Sequence, residues 1–210
     1  MQRRAVVVTG VGVVNAGIVG DSAALGAWLA APRAAARSTV GGRPVLRVPD
    51  ATLAGLVDAG EARRLSRICQ LAIAAARLAV GDAGLDPDRG LGLVVGSELG
   101  DFTSTIGFAD GYLARGASGL SALLFPNTVM NTMAATTAIA VAARELALTL
   151  NVPTVAGELA VARAAAAVAA GRVDAVLAGG VDDVDPLVTE LQGALGERDV
   201  RGEGAAFLVL

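Results

Sequence analysis

Two absences limit the chemistry open to this 210-residue chain: it contains no histidine, and all 17 of its basic residues are arginine. Without imidazole there is no Ser-His-Asp or Cys-His pair and no histidine metal ligand. Without lysine there is no Walker-type phosphate lysine and no Schiff base. General acid–base work would fall to carboxylates or to the single tyrosine, Tyr112. The lone Cys69 excludes an internal disulfide, and its apolar neighbours at helical spacing mark it as inert core. Asp182, Asp183 and Asp185 could hold a hard cation, but without other clear ligands they read as a polar loop. No metal and no cofactor is expected. Gly10-Val11-Gly12 opens like a dinucleotide fingerprint, yet Asn15 stands where its third glycine belongs, and no acidic residue follows a second strand at the expected distance.

The elements that would position any site follow from patterning. Hydrophobic residues make up 54% of the chain and charged ones 18%, which predicts an extensive interior. Aromatics are only 3%, so the core must be Ala, Val and Leu, and its elements must approach closely. Short apolar runs predict strands at Ala5–Thr9, Leu91–Val95, Ala147–Val152, Ala175–Ala178 and Gly204–Leu210. The first run is read as ending in a turn at Gly10-Val11-Gly12, and the fourth as ending at Gly179-Gly180. Helical spacing predicts helices over Ala23–Ala31, Glu61–Val80, Asp101–Arg115, Asn127–Leu146 and Gly157–Ala170, with Gly81 and Gly171 just past two of them. Residues 33–60 read as a surface excursion. The alternation predicts a single α/β domain over residues 1–210, with a five-stranded, mostly parallel mixed sheet and helices on both faces.

One helix stands apart. Leu159–Ala170 reads LAVARAAAAVAA, with Arg163 its only charge. A helix of that kind needs cover on every side, and one sheet covers only one. The net charge of −3, with no basic cluster, predicts no nucleic-acid partner. No apolar run reaches the ~18–20 residues of a bilayer span. The glycines at 10 and 12 interrupt the first apolar stretch before it reaches signal-peptide length, so a cytoplasmic protein with no membrane partner is expected.

Four segments together resemble the N-terminal half of β-ketoacyl synthases of the thiolase fold. They are Val6–Val14 (VVVTGVGVV), Arg63-Arg64-Leu65-Ser66-Arg67 before an Ala-rich helix, Phe125–Asn131 (FPNTVMN), and Gly171–Gly180 (GRVDAVLAGG). Gly202–Leu210 is similar to the last strand of that half. The resemblance implies a fold of two such halves packed around central helices, and Leu159–Ala170 matches one of those helices. It also implies a nucleophilic cysteine at the position held here by Thr154, and two histidines in a second half that this chain lacks.

The departures resemble chain-length factors, the catalytically dead partners of ketosynthases in type II polyketide and aryl-polyene systems. This implies a non-catalytic subunit in a heterodimer with a catalytic ketosynthase, which completes the acyl tunnel and transiently meets an acyl carrier protein. Phe102, Thr105, Ile106, Phe125, Met130 and Met133 lie in segments that approach the dimer interface and tunnel in that family. Arg63, Arg64 and Arg67 would dock an acidic carrier protein, or else form a solvated helix face. Thr154 itself reads as a solvent-shielded helix cap. The alternative is a stand-alone degenerate half-ketosynthase with a structural or interaction role.

Overall fold

A computed structural model describes residues 4–86 and 90–210. Met1–Arg3, just ahead of the strand expected at Ala5–Thr9, lie outside the described residues. The strands are β1 (Gly10–Asn15), β2 (Val19–Gly20), β3 (Ser38–Val40), β4 (Arg43–Leu46), β5 (Leu91–Ser97), β6 (Ala147–Asn151), β7 (Ala175–Asp182), β8 (Arg201–Gly202) and β9 (Gly204–Val209). The helices are α1 (Ser22–Ala30), α2 (Asp50–Ala54), α3 (Ala59–Ala62), α4 (Arg67–Ala83), α5 (Phe102–Arg115), α6 (Thr132–Ala140), α7 (Ala156–Ala169) and α8 (Pro186–Ala194), with 3-10 turns at Gly116–Gly119 and Phe125–Thr128.

The main sheet has the order β2-β1-β9-β7-β5-β6. It is mixed: β5 pairs parallel with β6 and β7, while β9 runs antiparallel between β7 and β1. Four strands (β1, β5, β6 and β7) therefore point the same way. There are six strands rather than the expected five, because the chain folds back after Asn15 and adds β2 at the edge. Residues 33–60 are more ordered than a plain excursion. They supply β3 and β4, which join β8 in a three-stranded sheet, and the start of α3.

Helices cover both faces. Leu93, Val95, Leu177 and Phe207 pack with Ile68, Leu71, Ala75 and Met133 of α4 and α6. Val94, Val176 and Ala178 pack with Ala160, Ala164 and Val168 of α7 on the opposite face. The period of two along β5 and β7 produces this split, and every residue of β5 is buried.

An alanine core closes only where backbones nearly touch, and glycines make that possible in two places. Gly10 and Gly12 are not a turn after the first strand: they lie within β1, and a Cβ on either would collide with the backbone of α4 at Ala75 or Ala79. The first strand is thus displaced toward the C-terminus from Ala5–Thr9. Likewise Gly179-Gly180 continue β7 to Asp182 instead of ending it. Gly96 and Gly180 face the start of α7, and a Cβ on Gly96 would collide with the Ala156 backbone, so its absence lets the helix settle onto the sheet.

Three helix limits differ from expectation. The segment expected as one helix over Glu61–Val80 breaks at residues 63–66, so that α4 begins after the extended Ser66 and runs on to Gly84 in the left-handed region (φ +58°). The long helix expected over Asn127–Leu146 is a 3-10 turn followed by α6. It ends where Ala142 takes φ +54° and the Ala143 N–H donates to the Ala138 carbonyl, closing a Schellman turn without glycine. α8 replaces part of the polar loop expected after β7, with Asp185 accepting from the N–H groups of Leu187 and Val188 ahead of Pro186.

Candidate functional site

The parallel strands β5, β6 and β7 end together at Ser97, Asn151 and Asp182, and a polar chain links these ends. The Ser97 hydroxyl donates to Asp182 (2.8 Å), as does the Glu98 N–H (2.9 Å), and the Asn151 amide donates to the Ser97 carbonyl (3.2 Å). Burial pushes the Asp182 carboxyl above its usual range, although these two donors oppose the shift. Sites on sheets of this kind lie beyond the carboxyl ends of the strands.

Thr154 stands there, three residues past the end of β6 and two before α7. Its φ is +73°, a left-handed conformation that a β-branched residue adopts only under strain. Its side chain is exposed, and its hydroxyl has no hydrogen-bond partner among the described residues. Val155, not Thr154, occupies the N-cap of α7, and no side chain caps that helix. Thr154 is thus neither a cap nor shielded, which corrects the structural reading of this residue. What fixes its position is the descent of α7 onto Gly96 and Gly180.

The six apolar candidates divide. Met133 is buried, and its terminal methyl and that of Met130 both reach the position where a Gly100 side chain would stand, at the start of α5. Phe125 is exposed, with its ring 5.9 Å from Phe108 of α5 at a tilt of 47°. Phe102 and Ile106 are half-buried on the first turns of α5, whereas Thr105 faces solvent. α5 and the 3-10 turn at Phe125 thus pack together as one lobe, and Met130, itself exposed, lies against Gly100 at the start of that helix.

The arginines also divide. Arg63 and Arg64 are exposed between α3 and α4. Arg67 turns inward: it holds both carboxylate oxygens of fully buried Glu203, one Asp50 oxygen (2.7 Å) and the Val48 carbonyl (2.6 Å). Burial opposes the Arg67 charge, but the bonds and charge of Glu203 outweigh it and raise its pKa. Cys69 is buried, and burial pushes its thiol up, away from reactivity. Among the described residues no group of three or more His, Cys, Asp or Glu is placed to hold a metal ion. No helix among them is long and apolar enough to cross a membrane.

The family model of the β-ketoacyl synthase N-terminal domain matches residues 49–197. The chain belongs to the β-ketoacyl synthase family. No curated protein matches it. Among solved structures, the whole chain superposes on 58% of the ishigamide ketosynthase/chain length factor, with 25% identity and a TM-score of 0.82. It also covers 59% of a β-ketoacyl synthase from Burkholderia phymatum STM815 (22% identity, TM-score 0.78). A third is a type II polyketide ketosynthase bound to its acyl-carrier protein, AntDE:AntF, of which the chain covers 62% (21% identity, TM-score 0.79). The latter two show the ketosynthase fold, and the chain spans about three-fifths of the length of each of these structures. The resemblance read from the four sequence segments thus holds, and the sheet with its buried helices is the N-terminal half of that fold.

Asp185 is a helix cap and not merely part of a polar loop. The signal was present: Asp followed by Pro is a helix start.

Proposed function

We propose that this ketosynthase-family chain is a non-catalytic, chain-length-factor-like subunit that pairs with an active ketosynthase and shapes the tunnel in which a polyketide or polyene chain grows. The observation that carries the proposal is Thr154 at the start of α7. Helix dipole and free N–H groups there would lower a thiol's pKa, but a threonine hydroxyl is far less acidic and the chain holds no histidine to activate it. The likeness to a ketosynthase/chain length factor supports the same reading.

In this reading the chemistry is the partner's, in the cytoplasm, and no cofactor enters. Met130, Met133 and Phe125, with Phe102, Thr105 and Ile106, form the wall that limits the growing chain; methionine suits a flexible apolar wall. The exposed Arg63 and Arg64 meet the acidic carrier protein, while Arg67 supports the fold beneath them. The exposed edge strand β6 and the outer side of α7 supply the surfaces for assembly.

The test is co-expression with a ketosynthase that bears the cysteine and both histidines. A stable heterodimer is expected, with product length altered by Met130→Trp. A soluble monomer that leaves the ketosynthase and its products unchanged would overturn the proposal in favour of a stand-alone half-domain. Acyl transfer by the purified chain, lost on Thr154→Ala, would overturn its non-catalytic character.

A further inference from the structure

A cavity of about 590 Å³ opens where the ends of β1, β7 and β9 meet α1. That volume lies within the ~300–1,000 Å³ usual for small-molecule sites. One wall is α1 and the loop after it, which supply Trp28, Arg33 and Ala35. The facing wall carries Leu46 of β4 and Ala206 of β9. Gly17, Gly180, Gly202 and Gly204 also line the cavity, so much of its surface is bare backbone and room is left for a chain. Thr154 and the six apolar candidates do not line it.

Two donors on the helical wall lack partners. Trp28 is half-buried, and its indole N–H is shielded from solvent with no acceptor among the described residues. Its place is beside Gly17 and Ala35: a Cβ on Gly17 would stand 3.8 Å from the indole nitrogen and 3.7 Å from the Ala35 methyl. A buried donor left unpaired is destabilising, and an acceptor supplied by a ligand removes that cost. Arg33 is exposed and makes no ion pair among the described residues. The two acids that line the cavity are already engaged. Asp182 accepts from Ser97 and Glu98, and Glu203 is held by Arg67. What remains is one free cation and one free N–H on the same wall, with apolar surface across from them.

We propose that this cavity binds a monocarboxylate with an apolar chain, its head group at Arg33 and Trp28 and its chain along Leu46 and Ala206. The guanidinium offers a charge-assisted bond to one carboxylate oxygen, and the indole N–H takes the other. One negative charge matches the one free guanidinium. A phosphate dianion would bring a second charge toward Asp182 and Glu203 and is disfavoured.

No ketosynthase partner enters the site, so the chain alone tests it, whatever the outcome of co-expression. Trp28 is the only tryptophan, and its fluorescence reports on the cavity directly. Titration with octanoate brominated beside its carboxylate is expected to quench Trp28 saturably, with a dissociation constant on the order of 0.1 mM. Arg33→Gln changes an exposed side chain and should weaken binding about tenfold. Octanol and octyl phosphate should displace the brominated probe only at about tenfold higher concentration than octanoate does. Trp28→Phe, followed with octanoate by calorimetry, should bind severalfold more weakly. Quenching that never saturates overturns the proposal, as does unchanged affinity in either variant. Octanol or octyl phosphate competing as well as octanoate overturns it too, because the carboxylate would then not be what is recognised. If Trp28→Phe does not fold, Arg33→Gln and the competition decide.

Discussion

Thr154 and Glu203 show opposite ways of holding a residue. Thr154 keeps a β-branched side chain at φ +73° with no hydrogen bond in return. Strain of this kind costs about 1–3 kcal/mol. Thr154→Gly should therefore raise stability by about 1 kcal/mol, read as a higher urea midpoint at unchanged slope; an unchanged or lower midpoint would show the turn to be unstrained. Glu203 is the reverse case. Its carboxylate is fully buried and its charge is met by Arg67. Glu203→Ala leaves the guanidinium partly buried without its main partner and should cost about 3–5 kcal/mol, measured the same way.

At the scale of elements, glycine contacts set the spacing between helix and sheet. Gly12→Val would drive a side chain into the backbone of α4 at Ala75. Overpacking costs about 1–3 kcal/mol where the core can adjust, and more is expected here because the obstacle is backbone. A near-normal melting temperature for this variant would show that α4 can move aside.

The same contacts explain what the sequence could not reveal. Leu91–Val95 and Gly204–Leu210 were legible as strands because their apolar runs are short and bounded. Gly10-Val11-Gly12 and Gly179-Gly180 looked like strand ends because glycine usually marks turns. Here they are mid-strand, and only the helix packed across each strand gives the reason. The end of α6 was hidden for a related reason, since Ala142 adopts a conformation normally left to glycine. At the candidate site, Thr154 could be located through the resemblance to β-ketoacyl synthases, but its φ could not. Asp182 and Asp185 were legible beside Asp183, whereas Asp101, which lines the same cavity as Asp183, comes from a distant part of the chain.

For the molecule as a whole, α7 is the feature that remains open. Its Ala160, Ala164 and Val168 stripe packs on the sheet, while Ala162, Arg163 and Ala166 face outward. The expectation that one sheet covers one side of this helix is met. If the outer side is an assembly surface, Ala166→Glu should abolish heterodimer formation on size exclusion while leaving the urea midpoint of the chain within about 0.5 kcal/mol. Retention of the heterodimer would direct attention to the β6 edge instead.

The position of β9 also governs how the chain comes into being. β9 lies between β7 and β1, and pairs Gly10 with Val209 and Asn15 with Gly204. During synthesis at about 5–20 residues per second, β1 waits roughly 10–40 s for this neighbour to be made. The unit of β5, β6, α7 and β7 is complete before then and can form a nucleus without it. Until β9 emerges, β1 has an unpaired edge, so the ribosome's pace, and any chaperone that shields the nascent strand, would set the yield of native protein.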